Sequence, residues 1–355
     1  MAQLKNTTVS DTGFLRLPAG TTAQRPANPE AGMMRFNADT GRVEGYNGRS
    51  DKWQPINQFF QQVVASGGTV TDIEQNGQLF RVHTFTSDGT FEVVRGGDVD
   101  VLVVGAGGAG GGLSTCSSGN GGGGGAGGLV FKEGEPVSET NYTVEVGDSA
   151  NYIGSNETNS NQSGDSSALG YTAIGGGPGQ ANADAVGSPP DGGSGGGAGT
   201  CSGGGSSTNG TPGGALQPGT NPDADIDAGH GGGNQVNSSI HRGGGGGGAA
   251  ERGRQDNEGG HGGDGIDMSA FFGTSFGEDG YFAGGGGGGS NTTSGGTSGA
   301  GNGGLGGGGD GAEDGGRSAN PPIANTGGGG AGSASSGNDG TEGAEGIVII
   351  RYRVG

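Results

Sequence analysis

The sequence predicts an all-β protein with a glycine-rich core of non-regular backbone: a small N-terminal β module, a short neck, and a β-framed array of polyglycine-II helices. Three observations predict it. Glycine supplies 97 of 355 residues, and the hydrophobic fraction is 27 %, against an ordinary ~45–50 %. The glycines are segregated, with 86 of them among the 251 residues 96–346. Both borders of that stretch are strongly β-prone, and the chain closes on Ile347-Val348-Ile349-Ile350. Rossmann folds, TIM barrels and helical bundles are excluded, because too little apolar surface exists to offset chain entropy. Collagen fails for want of a Gly-X-Y period and of proline, of which there are 13.

Residues 1–56 read as the N-terminal module. Phe14-Leu15-Arg16-Leu17 alternates and stops at Pro18, as an edge strand would. Met33-Met34-Arg35-Phe36-Asn37 faces Arg42-Val43-Glu44-Gly45-Tyr46-Asn47 across Ala38-Asp39-Thr40-Gly41, a hairpin with glycine at the end of its turn. A second turn at 47–51 leads to Trp53, the only tryptophan. A module below roughly 60 residues with so few apolar side chains is commonly completed by oligomerisation. Met33, Phe36, Tyr46 and Trp53 are therefore candidate oligomer or attachment residues. Residues 57–77 read as a neck or linker. Phe59, Phe60, Val63 and Val64 fall on one helical stripe that ends at Gly67-Gly68, and Phe59 and Phe60 join the candidate attachment set.

Residues 78–355 read as a glycine-rich distal domain. Strands are expected over 79–85, 89–94, 99–104, 128–132 and 142–146, more weakly over 167–174, and finally over 346–354. Glycine runs recur at 105–112, 121–128, 175–179, 192–199, 243–248, 284–289, 303–309 and 327–332. Three readings of these runs compete: flexible coil, loops on a β-sandwich, and packed polyproline-II helices made from glycine. That helix has three residues per turn, rises ~3.1 Å per residue and has no internal hydrogen bonds. Bare glycine backbones can therefore bond one another on several sides. A disordered tail has no reason to close on Ile-Val-Ile-Ile, which favours the array, clamped by pairing of its border strands. The polar segments between runs become turns at its ends, where a rigid scaffold presents binding loops. Residues 268–282 are the richest in aromatics, and Phe271, Phe272, Phe276, Tyr281 and Phe282 are the candidate receptor-binding residues. The competing reading makes them a local core that plugs the array edge.

Motifs for other chemistry are weak. Val101–Gly110 matches strand–GxGxxG, but residues 111–128 cannot make the helix that dinucleotide binding needs. His83, His230, His241 and His261 have no Cys or carboxylate at metal-ligand spacing. Asp223, Asp225 and Asp227 alternate as weak metal candidates, without the glycine and distal glutamate of an EF-hand loop. No metal, cofactor or catalytic residue is expected. Depolymerase chemistry needs paired carboxylates in a groove on a large β core, which this composition does not offer. Cys116 and Cys201 each sit in a Thr-Cys-Ser triplet; they read as free thiols, and their spacing does not decide whether they are bridged. The net charge is −20, split between +2 over residues 1–60 and −22 over the remainder. Such acidity disfavours nucleic acid and anionic membrane as partners. The start MAQLKNTTVS lacks the apolar region of a secretory signal, and no apolar stretch reaches the ~18 residues of a membrane span.

Two segments carry a resemblance. Leu17-Pro18-Ala19-Gly20-Thr21-Thr22-Ala23-Gln24-Arg25-Pro26 through Gly32-Met33-Met34-Arg35-Phe36-Asn37, Thr40-Gly41, Glu44-Gly45-Tyr46-Asn47-Gly48 and Trp53 resembles a short module of bacteriophage tail fibres and related virion appendages. Residues 85–112 with the closing Gly346-Ile347-Val348-Ile349-Ile350-Arg351-Tyr352 resemble the glycine-rich domain attached to many phage fibre and adhesin proteins. In some of those adhesins, glycine-rich stretches form polyglycine-II sandwiches with receptor-binding loops at the tip. The resemblance implies a non-enzymatic virion protein assembled in the host cytoplasm. It implies contact with other virion proteins through residues 1–56, a host-surface receptor (protein or glycan) for the loops, and a homotrimer. The alternative is a purely structural fibre, decoration or self-assembling filament subunit with no receptor of its own.

Overall fold

The computed structural model of the chain describes residues 16–48, 51–56, 62–112, 119–150, 162–181, 191–200, 210–237, 241–255, 260–291, 299–334 and 339–354. The chain divides into two compact units, Met1–Gln61 and Gln62–Gly355.

The first unit is a four-stranded sheet in chain order: β1 (Ala19–Gly20), β2 (Met34–Asn37), β3 (Arg42–Asn47) and β4 (Lys52–Pro55). The expected hairpin is present, with Phe36 opposite Val43 and Gly41 at φ 66°. The strand expected at 14–17 is not: residues 14–15 lie outside the described residues, and the pairing segment is Ala19–Gly20, beyond Pro18. Along β2 the buried positions are Arg35 and Asn37, while Met34 and Phe36 are exposed. The buried side is a polar network around Glu44, which meets Arg25 at 2.7 Å, Arg35 at 3.4 Å and the Asn37 amide at 3.0 Å. The Arg25 hydrogen bond, opposed by burial and helped by Asn37, holds the Glu44 carboxyl below the usual range. Tyr46, tilted against Trp53 at 5.6 Å, is the one buried hydrophobic side chain among this unit's described residues.

The second unit opens with β5 (Val64–Ser66), β6 (Thr69–Gln75), β7 (Gln78–Phe85), β8 (Gly89–Arg95) and β9 (Gly97–Val104). After the first glycine block come β10 (Leu129–Val137), β11 (Asn141–Glu145), β12 (Ser166–Ala168), β13 (Tyr171–Ala173) and β14 (Ile226–Ala228). Short pieces follow: β15 (Val236–Asn237), β16 (His241–Arg242), β17 (Ile266–Asp267), helix α1 (Ser269–Phe272) and β18 (Tyr281–Phe282). The closing strand is β19 (Ile347–Arg353). One sheet runs β14-β10-β9-β19-β7-β6 and a second runs β13-β12-β11-β8-β5. Side chains from both, such as Phe91, Val101, Val130, Val144 and Ile350, form one core. A second core, with Leu102, Leu129, Phe131, Ile347 and Ile349, covers the other face of the larger sheet. Strands β9 and β19 are therefore buried on both faces, which is why their apolar runs do not alternate. As the sequence leads one to expect, the two borders of the glycine-rich stretch pair, with Ile347 opposite Val104 and Ile349 opposite Leu102.

Two expectations need correction. The neck at 57–77 is not a separate element where it is described. Residues 57–61, with Phe59 and Phe60, lie outside the described residues, and the remainder supplies edge strands β5 and β6 to the two sheets. Val63 is 5 % exposed and Val64 40 %, so the two point to opposite faces as a strand requires and share no helical stripe. Asn76-Gly77, at φ 52° and 72°, closes the β6–β7 hairpin. The strand expected over 167–174 is a hairpin, because Leu169 and Gly170 both turn into positive φ.

The glycine runs are a packed array. Gly121, Gly124 and Gly127 donate to Ser333, Gly330 and Gly327. Gly122, Gly125 and Gly128 donate to Gln180, Gly177 and Ile174, while Gly123 and Ala126 donate to Gly244 and Gly247. The partner changes at each residue and returns at every third, the period of a polyproline-II helix. On its remaining sides this segment accepts from residues 105–111, 194–197 and 286–289. Residues 243–249 and 284–290 repeat the pattern: Gly243, Gly246 and Ala249 donate to Gly289, Gly286 and Ala283, and Gly284, Gly287 and Ser290 to Gly306, Gly309 and Ala312. The sheets set the register. Val104 pairs with Leu129 in the β9–β10 ladder, and the same antiparallel pair continues as Gly105 to Gly128, Gly108 to Gly125 and Gly111 to Gly122.

This packing leaves no room for side chains. A Cβ on Gly246 would lie 1.8 Å from the Gly124 carbonyl oxygen, whereas one on Gly231 would meet only the Gly213 oxygen, at 3.3 Å. Gly246→Ala is therefore expected to destabilise by about 2–3 kcal/mol or more. Gly231→Ala should stay within about 1 kcal/mol of the parent; denaturant unfolding of both variants measures the contrast.

His83 is fully buried, with Nδ1–H donating to the Gly67 carbonyl at 2.7 Å and Nε2 accepting from the Tyr352 hydroxyl at 3.1 Å. Burial lowers its pKa from the ordinary 6.5. The unfolded chain protonates this histidine below about 6.5 while the folded chain keeps it neutral. Stability therefore falls as pH drops through that value and levels off below the folded pKa. Unfolding midpoints between pH 8 and 5 should show the decline, and His83→Gln should flatten it.

Candidate functional site

The array has two unlike ends. At one, its segments run directly into strands β9, β10, β13 and β19. At the other, the same helices end in polar side chains at one level. Asn120 and Thr200 exchange backbone hydrogen bonds at 3.1 and 2.9 Å. The Asn120 amide donates to the His241 carbonyl at 3.0 Å. His241 and Asn291 are tied through a 3.1 Å bond from the His241 N–H to Asn291 Oδ1. Arg242 and Ser290 bridge, and Ser290 in turn bridges Glu313. Ser333 accepts from Gly121 and donates to Gly111, both at 3.0 Å.

Each of these residues lies at or just beyond the end of a glycine segment, so the array's own register aligns them. Asn120, Thr200, Ser290 and Ser333 are wholly buried, and Arg242 nearly so. Among the described residues, Asn120 Oδ1, Gln235 Oε1, His241 Nδ1 and Ser333 Oγ are buried without a hydrogen-bond partner. Burial lowers the His241 pKa, so the ring is neutral near pH 7. The layer thus offers neutral acceptors and hydroxyls, with the Arg242 guanidinium and the Glu313 carboxylate among them. Chain segments 113–118, 201–209, 238–240, 292–298 and 335–338, rich in Ser, Thr and Asn, are joined to residues of this layer. They lie outside the described residues, as do Cys116 and Cys201.

The aromatic candidates fall at the opposite end. Phe272 and Phe282 are completely buried with Met268 in the second core, and Phe271 and Phe276 pack against it. Phe131 meets Phe271 at 4.4 Å and Phe272 edge-on at 6.1 Å. Tyr281 is half-buried and pairs with Asp267 in the β17–β18 ladder. Phe272 and Phe282 thus occupy the local core that the competing reading of the sequence gives them. The sequence leaves both readings open because residues 268–282 offer no strand-length alternation, only two-residue strands and one helical turn.

The remaining candidates separate by unit. In the first unit, Met33, Met34 and Trp53 line a groove of about 380 Å³ together with Pro18, Pro26 and Arg35. Phe36 is exposed and Tyr46 buried. In the second unit, Asp225 is bound to Lys132 at 3.0 Å and to the Glu133 N–H at 2.7 Å. Burial alone would raise the Asp227 carboxyl, yet hydrogen bonds from Gln217, Asn221 and Gly219 hold it below the ordinary aspartate range. Asp225 and Asp227 thus tie down the segment that leads into β14. In the GxGxxG stretch, the N–H groups of Gly105, Gly107 and Gly110 bond Gly128, Ala344 and Thr341, so none faces a phosphate.

A family model described as a glycine-rich domain matches residues 84–353. No curated protein matches the chain.

A buried ion pair joins the aromatic core to the sheet. Arg351 Nε lies 2.8 Å from Asp100 Oδ2, and both side chains are buried. The guanidinium stacks 4.3 Å from the Phe80 ring, meets Gln75 Oε1 at 3.0 Å and donates to the Phe271 carbonyl. Arg351→Ala leaves the Asp100 carboxylate buried without its cation, and is expected to cost about 3–5 kcal/mol in denaturant unfolding. Arg351→Lys should recover part of that loss, limited by the missing stack and fork.

Proposed function

The chain belongs to the glycine-rich domain family, and from that premise we propose that it is a structural, non-enzymatic virion appendage, a tail fibre or adhesin that attaches to a host surface. The observation that carries this reading is the polar layer in which several glycine helices end together. A backbone-bonded array is a stiff support, and binding surfaces are commonly loops held on stiff supports. The receptor-contacting chain would be the segments joined to that layer, and the receptor a host-surface protein or glycan. The Ser, Thr and Asn content of these segments suits adaptable hydrogen bonding.

The first unit supports an assembly role. It buries a charged network and exposes Met34 and Phe36, the reverse of a self-sufficient β module. Contact with other virion proteins, and homotrimer formation, would cover that apolar strip.

The test uses the labelled full chain on whole cells of a panel of bacterial strains. Binding to some strains and not others is expected. Replacing residues 201–209 and 292–298 with Gly/Ser stretches of equal length should abolish that binding while leaving the unfolding midpoint unchanged. Undiminished binding by the replaced chain sinks the attachment reading. Absence of binding to every strain, with the chain still assembling into higher oligomers, would favour a purely structural fibre.

A further inference from the structure

The turn at residues 305–307 interrupts a glycine segment. Before it, the N–H groups of Gly301 and Gly304 donate to Gly288 and Gly285, and after it Gly309 donates to Gly329. Within it, three consecutive N–H groups bond carboxylates instead. The Leu305 N–H donates to Asp264 Oδ1 at 2.9 Å. The Gly306 and Gly307 N–H groups both donate to Glu278 Oε2, at 2.7 and 2.8 Å. Successive backbone N–H groups that converge on one oxygen form an anion-binding concavity, and a charged acceptor makes such bonds short and strong. Gly306 and Gly307 stand at φ 98° and 89°, a region that glycine enters without the strain a Cβ brings.

The two carboxylates belong to the two arms of one strap. Asp264 precedes β17, and Glu278 stands between α1 and β18. The chain between them and through β18 carries Met268, Phe272 and Phe282 into the second core. The first half of the strap is tied through its carbonyls: Ser269 accepts from the Gln75 amide at 2.6 Å, and Phe271 accepts from Arg351. The second half is tied through Glu278. That half is also strained, because Asp279 and Ala283 hold φ at 51° and 61° without being glycine.

We propose that the 305–307 turn is a carboxylate-binding site which the chain fills with its own Glu278, and that this contact latches the strap, residues 268–282, over the second core. The ligand class is a small monocarboxylate. E278A deletes a CH2–COO− unit, the size of acetate, and leaves the Gly306 and Gly307 N–H groups in place. Strain at Asp279 and Ala283 favours release of the strap, and the two charge-assisted bonds oppose it. The site lies at the aromatic end of the array, so it is independent of attachment through the polar layer.

The test follows hydrogen exchange in the full chain and in E278A. The amides of Met268, Phe272, Gly273 and Gly280 are bonded within the strap and report its opening. They should exchange about ten- to a hundredfold faster in E278A, as loss of a hydrogen bond to a charged acceptor predicts. The amides of residues 123–126, inside the array, should keep their parental rates. Acetate titrated into E278A should slow the strap amides again and saturate, whereas chloride at equal ionic strength should not. E278Q, which keeps an oxygen acceptor without the charge, should fall between parent and E278A, and guards against misfolding of the truncated variant. Parental strap exchange in folded E278A and E278Q overturns the inference. So does equal acceleration of strap and array, or faster strap exchange that acetate leaves unchanged.

Discussion

Everything in the second unit depends on backbones meeting where side chains would ordinarily keep them apart. In a β-sheet each strand has two bonding neighbours, and its side chains occupy the two faces. In the glycine array the bonding directions rotate with the chain, so residues 121–128 donate to three segments and accept from three more. That is available only to a chain with no Cβ at nearly every position. The same constraint makes the array intolerant of change: a Cβ on Gly124 or Gly286 would lie 2.0 Å from a carbonyl oxygen. It also explains how so hydrophilic a composition supports a folded core. The glycine array buries peptide groups bonded to peptide groups where an ordinary domain buries aliphatic side chains.

The sequence discloses the frame better than the filling. The strands at 79–85, 99–104 and 346–354 are legible because consecutive Val and Ile residues have few other uses in so polar a chain. The closing strand signals its pairing because a terminal Ile-Val-Ile-Ile must be buried against something. The order of neighbours within the array is not legible, because a run such as Gly243–Gly248 contains no pattern from which a register could be read. The three-residue spacing of Asp339, Glu342 and Glu345, and of His261, Asp264 and Asp267, is in the sequence and marks which helices lie outside. It is easily overlooked because strand and helix periods are the ones usually sought. Residues 62–77 mislead for a related reason. Two adjacent valines fit a helical stripe and a strand equally well, and only the strand places one inside and one outside.

The candidate site divides in the same way. Phe272 and Phe282 look like anchors when judged by residue type, and become core once Leu102, Phe131 and Ile349 are seen to need a cover. Asn120, Thr200, Ser290 and Ser333 carry no such signal, since Asn, Ser and Thr are common throughout the glycine-rich stretch. What distinguishes them is level: each stops a different helix at the same height. That alignment is a property of the lattice register, which no local stretch of sequence contains.

The register itself has a physical source in the sheets. Glycine loses more conformational freedom on ordering than any other residue, and one polyproline-II helix has no internal hydrogen bond to offset the loss. No glycine segment can therefore order alone, nor can two of them choose among sliding registers that differ only in length of overlap. The β9–β10 and β9–β19 ladders remove that freedom, because their apolar side chains admit one alignment, with Val104 set against Leu129 and Ile347. The first backbone bonds of the array, Gly105 to Gly128 and Gly107 to Ala344, are then the next bonds of ladders already formed. Sheet and array are one cooperative structure in this sense. The side-chain-bearing part supplies alignment that glycine cannot encode, and the glycine part carries that alignment out to the polar layer.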